Sequence, residues 1–173
     1  MPRPSPIHLA AVAAALLLVP SLRAQALRQR DALSGLHEIR VAVAVNGDAR
    51  RAGVDSARVA TSVEYELRRA GLRVAGDEAP PGEGTGYASA AVDCVEAATA
   101  TRSVGFACYV AFSLDQFARL QGATAYAPQV RARTWSDGSL LLGAGPDIDT
   151  RVHGELRTML ERLGNALLAA SGR

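Results

Sequence analysis

Residues 39–75 read IRVAVAVNGDARRAGVDSARVATSVEYELRRAGLRVA, and a change of period inside them decides the fold. Ile39, Val41, Val43 and Val45 alternate with Arg40, Ala42 and Ala44, the period-2 pattern of a strand with one buried face. Further on, Val59, Val63, Leu67 and Ala70 recur at four, four and three residues, with Arg58, Glu64, Arg68 and Arg69 off the stripe. That is the pattern of an amphipathic helix. Asp55 stands where a cap is needed and Gly71 where the helix must end. Residues 72–75 then form a short strand. A strand, a helix and a strand in that order predict a right-handed crossover with the two strands parallel. Between the first strand and the helix, Asn46-Gly47-Asp48 reads as a turn opening a polar connection through Gly53.

The stretch from Gly76 to Gly86 holds two Pro, four Gly and three acids, and no apolar period. It is expected to be a loop, with the further expectation of a lid. Beyond it Ala90, Val92 and Cys94 share one face of a strand, and Val104, Phe106, Cys108, Val110, Phe112 and Leu114 share one face of the next. These runs flank residues 99–103 and predict an antiparallel hairpin. Residues 129–135 alternate once more, with Val130, Ala132 and Thr134 on one face and Arg131, Arg133 and Trp135 on the other. Ser136-Asp137-Gly138 reads as a turn, followed by a loop to Pro146. The last helix follows, its stripe made of Ile148, Val152, Leu156, Met159, Leu163, Leu167 and Ala170, with Asp147 or Asp149 as its cap. The expected fold is an α/β (α+β) two-layer sandwich in the order β-α-β-β-β-β-α, a five-stranded mixed sheet with two helices on one face.

Outward to the amino terminus, Arg3 precedes an uncharged run from Ile7 to Val19, Pro20 ends it, and Ala24-Gln25-Ala26 has the small-x-small form of a cleavage site. Residues 1–26 are therefore expected to be a signal peptide and residues 27–173 a single domain. The run of 13 residues is short of the roughly 20 that a spanning helix needs, so no membrane insertion is expected after cleavage. All 19 basic residues are Arg, and removing the leader leaves 17 Arg against 17 acids. A chain so balanced is not held to polyanions by bulk charge, and nucleic acid is not an expected partner. The expected location is periplasmic or secreted, an oxidising compartment.

There, Cys94 and Cys108 lie equally far from the centre of the hairpin, on inward faces, and are expected to pair as a disulfide. No Cys-x-x-Cys occurs, so no redox role is expected. Past the leader only His37 and His153 remain, neither at metal-ligand spacing from a Cys or His. Asp147, Asp149, His153 and Glu155 cluster at the start of the last helix, where carboxylates serve the helix end better than a cation. There is no Gly-x-Ser-x-Gly elbow and no evident partner for a serine nucleophile. Gly82-x-Gly84-x-Gly86 leads into a strand and carries no Lys, so the phosphate-cradle mechanics are missing. No catalytic residue, no cofactor and no metal is expected.

Gly35-Leu36 leading to Ile39-Arg40-Val41, the run from Val63 to Val74, and Thr134-Trp135-Ser136 before a long last helix resemble a family of small exported bacterial proteins of unknown function. The implied shape is similar to the small amino-terminal domains of periplasmic envelope proteins, including that of the Tol system's propeller protein. Such a resemblance implies fold and address, and supplies no site residues.

What remains is a surface. The face turned from the helices is expected to present Tyr109, Arg131, Arg133 and Trp135 among small residues, the composition of a contact patch. The expected function is a non-catalytic envelope module that binds a protein partner, or itself, through that face or an exposed strand edge. The alternative is a small-ligand-binding periplasmic protein with the 76–86 loop as its lid.

Overall fold

The computed structural model describes residues 32–76, 84–118 and 130–172. Five strands, β1 (Glu38–Val45), β2 (Arg73–Val74), β3 (Thr85–Ala98), β4 (Ser103–Ala118) and β5 (Val130–Gly143), form one sheet in the order β2-β1-β3-β4-β5. β1 runs parallel to both β2 and β3, while β3–β4 and β4–β5 are antiparallel. Besides the helical residues 32–33, three helices accompany it among the described residues: α1 (Gly47–Arg51), α2 (Ser56–Arg69) and α3 (Gly145–Ala170). The mixed sheet and the α/β sandwich are as expected; the expected signal peptide lies outside the described residues.

The crossover follows from its end signals. The Asp55 carboxylate accepts from the backbone N–H of Ala57 and Arg58 at 2.7 and 3.2 Å, satisfying donors that the first turn of α2 leaves free. Gly71 takes a φ of +89°, and the Leu72 N–H reaches back to the Leu67 carbonyl at 3.1 Å. That closure turns the chain sharply into β2.

Asn46-Gly47-Asp48 does more than turn. Asn46 caps α1 by accepting from the Ala49 N–H at 2.8 Å, and its amide also accepts from the Cys94 N–H at 3.1 Å and donates to the Cys94 carbonyl at 2.8 Å. Asp48 accepts from the Glu96 N–H at 3.0 Å. Where β1 ends, two side chains thus continue its ladder along β3, and the expected polar connection is a short helix.

The core lies between the sheet and the helices. Ile39, Val92, Cys94, Cys108, Val110, Phe112 and Leu114 meet Val59, Val63 and Leu67 of α2 and Ile148, Val152, Leu156, Met159 and Leu163 of α3, all buried. The expected stripes of both helices are the buried ones. Cys94 and Cys108 are directly opposed in the β3–β4 register and joined as a disulfide within this core.

Three expectations need correction. The Gly76–Gly86 loop ends early, because Thr85 and Gly86 already belong to β3; residues 77–83 lie outside the described residues. Ser136-Asp137-Gly138 does not end the last strand, since β5 runs on to Gly143. The Asp137 carboxylate binds Arg162 of α3 at 2.8 Å and the Gly138 N–H at 2.8 Å, so its turn-forming chemistry is spent inside the strand. Finally, α3 starts at Gly145 behind Ala144 with no side-chain cap; Asp147 falls in its first turn, facing the positive end of the dipole, and Asp149 lies deeper.

Candidate interaction surface

Each strand that sends apolar side chains under the helices sends the alternate set to the opposite side. Register aligns that set into rows across the strands: Val95, Ala107 and Leu142; Asp93, Tyr109 and Leu140; Ala44, Ala91, Ala111 and Gly138; Ala42, Ser89, Ser113 and Ser136; Arg40, Tyr87, Asp115 and Arg133. The two middle rows contain nothing larger than Ser. On one flank stand Tyr109, Leu140 and Leu142, the two leucines 67% and 64% exposed. The other flank is aromatic and charged.

At that flank the Tyr87 ring meets Phe117 edge-on at 5.6 Å and carries the Arg131 guanidinium at 4.5 Å and that of Arg40 at 5.9 Å. Asp115 binds both Arg131 and Arg133, at 3.3 and 3.2 Å. Beyond them Glu38 is buried between Arg73 and Thr85, receiving a bond from each. Tyr109 is placed by a missing side chain: a Cβ on Gly138 would sit 2.5 Å from its hydroxyl, so only glycine lets the ring lie across β5.

Of the residues expected to form the patch, Tyr109, Arg131 and Arg133 are exposed on this face. Trp135 is not. The β4–β5 register shifts between Leu114 and Asp115, which pair with Trp135 and Arg133, leaving Thr134 as an extra residue. This bulge flips every later side chain of β5. Trp135 turns into the core against Phe112, ring centroids 5.8 Å apart, and Leu140 and Leu142 take the open side instead. Reading the strand as ended at Trp135 hid both leucines; the uninterrupted apolar run at 140–142 was the available signal.

The strand edges offer less. β2, at one edge, has two residues. β5, at the other, has its Gly138 N–H taken by Asp137 and its Leu142 carbonyl taken by Arg151 of α3, and the bulge distorts its first half. Blunted edges resist an added strand.

On the helical side, Ser62 Oγ lies 3.1 Å from His153 Nδ1, whose Nε2 is 3.5 Å from Asp149, which in turn holds Arg58 at 2.9 Å. Ser62 thus has the histidine neighbour that sequence did not reveal. The seam beside it is an open groove of about 500 Å³. Ser62 sits within α2, however, where the backbone N–H groups around it are committed to the helix. Among the described residues no pair of backbone donors faces an oxyanion next to it. Glu66, buried between Arg69 at 3.6 Å and Arg157 at 3.5 Å, adds a second polar tie across the same seam. Among the described residues no three His, Cys, Asp or Glu side chains converge as a cation site, and no helix is long and apolar enough to cross a membrane.

No protein-family model and no curated protein matches the chain. Among solved structures, a minor lipoprotein from Acinetobacter baumannii is similar over 80% of this chain and 95% of its own, with 6% identity and a TM-score of 0.32.

Proposed function

We propose that the protein is a non-catalytic module exported to the periplasm or beyond, which binds a protein partner through the uncovered face of its sheet. One observation carries this reading: Val95, Tyr109, Leu140 and Leu142, all large and exposed, cluster on one side of the sheet, while the described helices cover the other side. Clustered exposed apolar groups rimmed by Arg and Asp are the make-up of a contact surface. The Cys94–Cys108 disulfide supports the address, because such bridges persist in oxidising compartments. The leader-like residues 1–26 support it from the sequence side.

The test is site-specific photo-crosslinking in the producing cell. A photoreactive residue at Tyr109 or Leu140 is expected to give a discrete protein adduct, and one at Thr158, on the exposed side of α3, none. Equal adducts from both sides, or none from the sheet, would overturn the reading.

A further inference from the structure

Resting on that reading and naming the chemistry of the partner, we infer that the protein bound at this face presents an acidic side chain, which Arg131 and Arg133 receive between their guanidinium groups.

Both arginines lie on β5 ahead of its bulge, two residues apart and therefore on one side, with Cα atoms about 7 Å from each other. Each turns its Nε to a different oxygen of Asp115, at 3.3 and 3.2 Å. One carboxylate thus holds two guanidiniums side by side. That of Arg131 also lies over the Tyr87 ring at 4.5 Å, and a guanidinium laid on a ring keeps its N–H edge for acceptors. The terminal Nη groups of both arginines make no hydrogen bond among the described residues.

Exposure sets the sign that a partner meets. The side chains of Arg131 and Arg133 are 48% and 62% exposed and that of Asp115 only 17%, so the guanidiniums are outermost. The three groups together carry a charge of +1, which one further carboxylate neutralises. In that arrangement each carboxylate accepts from two guanidiniums and each guanidinium donates to two carboxylates. It is a seat for one acid rather than for a polyanion. The same side of the sheet carries Asp93, exposed and without an ion pair among the described residues, and an anionic bilayer or a nucleic acid laid on the face would meet that carboxylate too. A protein can instead place an acid on one flank and apolar groups on the other. Tyr109 and Asp115 are six residues apart on β4, so the two anchors of the partner lie about 20 Å from each other.

Fluorescence anisotropy of labelled hexaglutamate with the full chain, disulfide intact and at low ionic strength, tests the seat. Wild type is expected to bind it about tenfold more tightly than hexaglutamine and to release it as salt rises. Arg131→Gln and Arg133→Gln are each expected to weaken binding at least threefold, and together to abolish the preference. Arg102→Gln, in the exposed turn of the β3–β4 hairpin, should leave it unchanged. Arg133→Lys keeps the charge and loses the fork, and should fall between wild type and Arg133→Gln. Thermal melts confirm that each variant is folded, and the two single substitutions give independent readouts. No preference for hexaglutamate, or a preference that Arg102→Gln lowers as much as Arg131→Gln does, overturns the inference. Vesicles of phosphatidylglycerol bound more tightly than hexaglutamate through the same two arginines overturn it in favour of lipid phosphate. The Leu140 crosslink separates it from the broader reading. An adduct lost in the double Arg131→Gln, Arg133→Gln variant supports the acidic partner, an adduct that persists unchanged overturns it while leaving the docking face in place, and no adduct in the wild-type background overturns both.

Discussion

Asn46 holds three backbone groups with one side chain, the Ala49 N–H and both polar groups of Cys94. Its removal loses a helix cap, worth about 1 kcal/mol, and two hydrogen bonds to a strand, worth about 1 kcal/mol each. Asn46→Ala is therefore expected to lower stability by about 3 kcal/mol in urea unfolding. Asn46→Asp keeps both acceptor roles but turns a carboxylate oxygen toward the Cys94 carbonyl, to which Asn46 donates at 2.8 Å, so it should recover only part of that loss; full recovery would mean that the bond to the Cys94 carbonyl carries no stability. The neighbouring disulfide closes a short loop and contributes about 3 kcal/mol on the loop-entropy model. Thiol titration of the denatured chain should find no free cysteine before reduction and two after it. The pairing was legible from sequence because both cysteines are equidistant from the hairpin centre. The role of Asn46 was not, because a turn signal says nothing of a partner 48 residues away.

At the scale of elements, period-2 and period-3.6 patterns located every strand and both long helices, since burial on one face imposes those periods. They failed where an element breaks its own period. β5 carries one extra residue at Thr134, and alternation continued through it assigns Trp135 to the wrong side. Trp135 lies in the core, so Trp135→Ala should cost about 3–5 kcal/mol. Its fluorescence should be blue-shifted and shielded from iodide; a red, quenchable emission would place it on the surface after all. The seam of α2 and α3 illustrates a different limit. Ser62 and His153 are 91 residues apart and meet only because both helices lie on one face of the sheet. With no free backbone donors beside it among the described residues, Ser62 is expected to resist labelling by a fluorophosphonate at any pH from 6 to 9. Labelling abolished by Ser62→Ala and by His153→Ala would establish a nucleophile and end the non-catalytic reading.

For the molecule as a whole, the described helices cover one side of the sheet, which on the proposed reading separates what folds the chain from what it touches, and β4 carries both along alternate residues. Phe112 and Val110 point under the helices and are fully buried, whereas Tyr109 and Ala111 point to the open face. Neighbours in sequence should thus have opposite consequences. Phe112→Ala removes most of a buried ring and is expected to cost about 3–5 kcal/mol. Its folded fraction should still associate with unchanged affinity, because no atom of the open face has moved. Tyr109→Asp removes no core contact, and surface changes of this kind stay within about 0.5 kcal/mol. It should nevertheless abolish association, because it places a charge among Leu140, Leu142 and the facing surface. Denaturant melts and the Leu140 photo-crosslink on the two variants decide the matter together. If Tyr109→Asp melts early, or if Phe112→Ala loses association while still folded, then folding and docking are not divided between the two sides of the sheet, and an interface elsewhere, on the helices, must be sought.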